Sequence, residues 1–84
     1  MQIRLKLYAT LTDYLPPAAR RDNQVALEVD ASATIDSILA PLNIPPKLVH
    51  LVLVNGVFIP PAERATRVFR EGDVLAIWPP IAGG

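Results

Sequence analysis

The chain has 84 residues, 51% of them hydrophobic, with 8 basic and 8 acidic side chains and no cysteine. This is enough apolar material for one modest core and too much for a disordered segment. The charge balance excludes a basic nucleic-acid-binding stripe, and the lack of cysteine excludes a disulfide framework, a thiolate metal site and thiol chemistry.

Arg4 and Lys6 interrupt the first apolar run, so the N-terminus does not read as a signal peptide, and no run reaches transmembrane length. The expectation is a cytoplasmic protein that works with neither membrane nor nucleic acid. A neutral chain this rich in apolar residues favours a partner that covers part of it.

Residues 2–8 alternate strictly, which predicts a half-buried strand with Ile3, Leu5 and Leu7 inward. Gln2, Arg4, Lys6 and Tyr8 then share the outer face. Leu11 and Leu15 fit a short helical turn that Pro16-Pro17 stops, followed by a polar bend to Asn23. Val25, Leu27 and Val29 alternate again, as the return arm of a long hairpin with the first strand.

Thr34 is placed as an N-cap, with Asp36 in the first helical turn. Ile35, Ile38, Leu39 and Leu42 form one apolar stripe. Pro41 confines this helix, which must bend there or end near Ala40. Lys47–His50 fits one more turn. His50 has no partner at metal-ligand or catalytic spacing and reads as an ordinary histidine.

Leu51-Val52-Leu53-Val54 predicts an inner strand, and Asn55-Gly56 is a strong hairpin signal leading to Val57-Phe58-Ile59. Val68 and Phe69 read as core anchors of the following connector. Glu71-Gly72-Asp73 turns the chain into a last strand, Val74–Trp78, with Leu75 and Ile77 on one face and Ala76 and Trp78 on the other. Leu5, Leu53 and Leu75 are taken as core residues.

The order strand, strand, helix, strand, short strand, strand implies an α+β fold: a mixed sheet of four to five strands covered on one face by one helix. The first and last strands are expected side by side. Tyr8 and Trp78 then form an aromatic patch opposite the helix.

Pro79-Pro80 ends the last strand and extends the chain toward Ile81, Ala82, Gly83 and Gly84. We divide the chain into a domain over 1–80 and a tail over 81–84. Two glycines suit a narrow channel, where a Cβ would clash, and leave the Gly84 carboxylate as the reactive group. A frayed end is the plainer alternative.

The run from Gly72 through Trp78-Pro79-Pro80 to Gly83-Gly84 resembles the close of the molybdopterin-synthase small subunit and its thiamine-pathway relatives, the ubiquitin-like β-grasp sulfur carriers. Ile3–Leu15 and Val54-Asn55-Gly56 resemble the same family less specifically. Pro16-Pro17 with the bend to Asn23, and Leu51–Gly56, are also similar to bacterial ubiquitin-like domains fused to other modules, which usually lack the diglycine.

The carrier resemblance implies that a ubiquitin-E1-like activating enzyme uses ATP to adenylate Gly84. A sulfur donor protein then converts it to a thiocarboxylate. The sulfur goes to a pterin precursor in the molybdopterin synthase large subunit, or to another sulfur-accepting enzyme. The chain itself is a co-substrate with no bound cofactor or metal and no catalytic side chain of its own. Gly83 threads the tail, while Tyr8, Trp78, Pro79, Pro80 and Ile81 contact partners. The alternatives are sulfur carriage for thiazole, tRNA or amino-acid synthesis, a ubiquitin-like modifier forming isopeptide bonds, and a non-covalent β-grasp interaction module.

Overall fold

The alternating N-terminal sequence forms strand β1, Gln2–Leu7, in a computed structural model that describes residues 1–80. The other strands are β2 (Gln24–Glu28), β3 (Leu51–Val54), β4 (Val57–Phe58) and β5 (Val74–Trp78). They form one mixed sheet in the order β2-β1-β5-β3-β4. β1 and β5 are parallel neighbours, with Leu5 opposite Leu75 and Leu7 opposite Ile77; the remaining pairs are antiparallel. This is the expected α+β, β-grasp architecture.

Helix α1, Ile35–Leu39, lies against one face of the sheet. Its start is fixed by a reciprocal cap: Thr34 Oγ1 accepts from the Ser37 amide at 3.2 Å, and Ser37 Oγ accepts from the Thr34 amide at 2.8 Å. Pro41 cannot supply the amide that a longer helix needs, so the chain tightens into a 3-10 turn over Ala40–Leu42 and ends on left-handed Asn43. Ile35, Ile38 and Leu39 are buried under the sheet residues Ile3, Leu5 and Leu75 in one core.

Two core expectations are corrected. Leu53 is only half-buried, whereas Val52 and Val54 are the buried members of β3. Leu53 stands opposite Ala76 on one side and Phe58 on the other, which places it on the face away from α1. Val68 is 53% exposed and forms an isolated bridge with Thr34; Phe69 alone anchors that connector, at 4%.

The irregular segments are held by side chains that bond to main-chain oxygens. Arg20 Nε donates to Leu15 O at 3.0 Å, and one of its terminal nitrogens donates to Asp13 O at 3.0 Å, which fastens the bend after Pro16-Pro17. Arg64 is buried and donates to Ile59 O, Val49 O and His50 O at 3.2–3.3 Å. One cation thus ties the 61–64 turn to both ends of the β3–β4 hairpin. Among the described residues, no helix is long and apolar enough to cross a membrane.

Candidate interaction face

The parallel pairing of β1 with β5 brings the ends of these strands together. Tyr8 N donates to Ile77 O at 3.2 Å, which carries the ladder one residue past β1. Ala9 then takes a left-handed conformation, φ 53°, and the chain turns away into a 3-10 segment over Ala9–Tyr14. On the other side, Trp78 O accepts from His50 N at 3.1 Å, and Trp78 is in register with Leu51. Both aromatic residues therefore have their backbones fixed by neighbouring strands.

Their rings stack, with centroids 3.8 Å apart and planes 5° from parallel. The contact buries aromatic surface of both rings against each other. Trp78 remains 39% exposed. Register extends the surface from the pair through Leu51, Ala76 and Leu53 to Phe58, which is 49% exposed. Arg4 and Lys6 flank this strip on β1. The strip presents apolar carbon beside cationic side chains, which suits binding a partner surface.

Of the residues singled out from sequence, Tyr8 and Trp78 are together on the face opposite α1, and Pro79 and Pro80 follow directly at its edge, half-buried and exposed respectively. Ile81, Gly83 and Gly84 lie outside the described residues. Among the described residues, no group of three or more His, Cys, Asp or Glu is placed to hold a metal. His50 is exposed and enters the local network only through its backbone.

Sequence reasoning missed Leu51, Leu53 and Phe58 as members of this face. The Asn55-Gly56 signal held the missing information, because a two-residue turn puts Val54 opposite Val57 and Leu53 opposite Phe58. It also missed a clamp under the face. Asn55 Nδ2 donates to Asp73 Oδ1, Asn55 Oδ1 accepts from Val74 N, and Asp73 Oδ2 accepts from Arg70 N, each at 2.9 Å. The clamp joins the β3–β4 turn to the start of β5, the strand that carries Trp78.

Residues 1–82 match the family model described as Mut7-C ubiquitin. The chain belongs to the Mut7-C ubiquitin family. The match speaks for the domain and stops short of Gly83-Gly84.

Among solved structures, the chain is similar to SAMP1 from Haloferax volcanii, at 23% identity and TM-score 0.70 over all of both chains. It is similar to the Haloferax volcanii HVO 2177 protein at 22% identity and TM-score 0.74, covering all of this chain and 87% of that one. One chain of a complex of subunits 1 and 2 of the molybdopterin-converting factor from Helicobacter pylori 26695 is similar at 16% identity and TM-score 0.60, covering all of this chain and all of that one. At these identities the likeness establishes the ubiquitin-like β-grasp fold. No curated protein matches the chain.

Proposed function

We propose that this Mut7-C ubiquitin domain is a ubiquitin-like modifier that is activated and transferred through the carboxylate of Gly84. The observation that carries the proposal is one continuous run: the stacked Trp78, then Pro79-Pro80, Ile81-Ala82 and Gly83-Gly84. A partner that grips the aromatic pair also holds the start of the segment leading to the carboxylate. The modifier reading is favoured over molybdopterin synthesis because a crystal structure described as small archaeal modifier protein 1 from H. volcanii matches at TM-score 0.66, above the molybdopterin-converting factor complex at 0.60.

The chemistry balances in two steps. The Gly84 carboxylate attacks the α-phosphorus of ATP on an activating enzyme of the ubiquitin-E1 type and releases pyrophosphate. A lysine amine then attacks the acyl carbon, forms an isopeptide bond, loses its proton to solvent or a partner base, and releases AMP. A carboxylate alone is a poor electrophile; the adenylate supplies the leaving group.

The likeness to the molybdopterin-converting factor supports a second reading that shares the first step. Sulfide-level sulfur delivered by a donor protein attacks the acyl carbon, forms the C–S bond and displaces AMP, and the resulting thiocarboxylate serves a large synthase subunit or another sulfur-accepting enzyme. Both readings require a free α-carboxylate on Gly84, which the intact mass of the isolated protein checks. The common step is tested by ATP–pyrophosphate exchange with an activating enzyme of this type from the same organism. Exchange is expected with the intact chain and absent when Gly84 is deleted. Equal exchange by the deletion variant overturns both readings.

A further inference from the structure

The sheet has two edges of unequal character. β4 is two residues long and followed by Pro60-Pro61, which blunts that edge. β2 runs five residues without proline or lysine and, among the described residues, has a neighbouring strand on one side only.

The ladder shows which groups β2 leaves outward. Val29 N donates to Met1 O at 2.8 Å, Met1 N donates to Val29 O at 2.9 Å, and Leu7 N donates to Asn23 O at 3.0 Å. The residues of β2 bonded to β1 are therefore the odd-numbered ones. Gln24, Ala26 and Glu28 point their amides and carbonyls away from the sheet.

We propose that a second copy of this chain pairs with this edge, antiparallel, about a two-fold axis through Ala26. The three outward residues are centred on Ala26, so the axis sets Ala26 against its own copy and Gln24 against Glu28. Every outward amide and carbonyl of the strand then finds a partner in one register. The side chains are complementary as well. Gln24 Oε1 accepts from Arg4 Nη1 at 3.4 Å, which leaves its amide protons free for the opposing Glu28 carboxylate. No like charges face each other within the strand pair, and the half-buried Val25 and Leu27 gain cover across the seam.

This symmetry keeps both open faces on the same side of a continuous ten-stranded sheet. Tyr8 follows the end of β1 and Trp78 ends β5, so the stacked pairs lie away from the dimer seam and stay accessible on both copies. Pairing through one five-residue strand buries less than the ~1,000 Å² of a stable interface, so the association is weak and concentration-dependent. It does not depend on Gly84 chemistry.

Sedimentation equilibrium of the 84-residue chain between about 10 μM and 1 mM tests this, because weak association with a Kd in that range shows as a concentration-dependent mass. The expected mass rises from monomer toward dimer, and the Gln24, Ala26 and Glu28 amides gain hydrogen-exchange protection together with it. Ala26→Lys, which sets like charges face to face at the axis, should remain monomeric. Ala26→Val should associate more strongly, because a β-branched pair suits a ladder. A monomer at every concentration overturns the proposal. So does a dimer that Ala26→Lys leaves intact, or one that leaves the Ala26 amide unprotected.

Discussion

Tyr8 and Trp78 stack face to face across the β1–β5 seam, 3.8 Å between centroids, on the side of the sheet away from α1. Trp78 is held by backbone bonds and not by core packing, so Trp78→Ala is expected to fold. If the face serves the activating enzyme, the variant should lose at least about tenfold in affinity, the usual scale for an aromatic anchor. Circular dichroism checks the fold and calorimetry the binding. Tyr8→Ala should shift Trp78 fluorescence to the red by exposing the ring that Tyr8 now covers.

Leu75 and Leu53 separate the two faces of the sheet. Leu75 is fully buried, and Leu75→Ala should cost about 2–5 kcal/mol. Leu53 is half-buried on the open face, so Leu53→Ala should cost clearly less. Denaturant melts of both variants measure the difference directly.

Much of this was legible from sequence because polar residues mark parity. Arg4 and Lys6 fix the faces of β1, and through β1 the orientation of Tyr8. Glu71-Gly72-Asp73 marks where β5 begins. In Leu51-Val52-Leu53-Val54 every residue is apolar, so nothing in the strand itself says that Val52 and Val54, and not Leu53, are the buried members. Arg64 was not legible either. Its role comes from Val49, His50 and Ile59, carbonyls distant in sequence that only the fold brings together.

Arg64→Ala strands these three carbonyls. An unsatisfied buried carbonyl costs about 1–3 kcal/mol; the Ile59 contact is buried while those to Val49 and His50 are partly open to water, so a loss of about 1–3 kcal/mol is expected. Arg64→Lys should rescue only part of it, since an ammonium cannot reproduce the planar fork. The measurement is the denaturation midpoint of both variants.

Ala9 holds a left-handed backbone directly after Tyr8. That conformation costs an alanine roughly 1–2 kcal/mol, and glycine adopts it freely. Ala9→Gly also gives the unfolded chain about 0.4–1 kcal/mol of added entropy, so a small net gain in stability is expected from thermal melts. A large loss would mean that the methyl group packs usefully.

Ser32 Oγ donates to the Asp30 carboxylate, and this bond, with backbone bonds from Ser32 and Ala31, holds the Asp30 carboxyl below its ordinary range. The folded state thus favours the ionised form. Its contribution to stability is complete above the ordinary carboxyl range and disappears as pH falls through the depressed folded value. Ser32→Ala should raise the Asp30 titration point, read by NMR.

Attachment through Gly84 is read out by mass spectrometry of conjugates. The last basic residue is Arg70, so trypsin should leave residues 71–84 branched from the target lysine. With an activating enzyme of the E1 type and ATP, lysine-containing peptides should carry Glu71–Gly84 through the Gly84 carbonyl, and should be lost when Gly84 is deleted. A chain whose Gly84 is adenylated yet appears only as the thiocarboxylate, with no branched peptide, would contradict the modifier reading and leave sulfur carriage in its place.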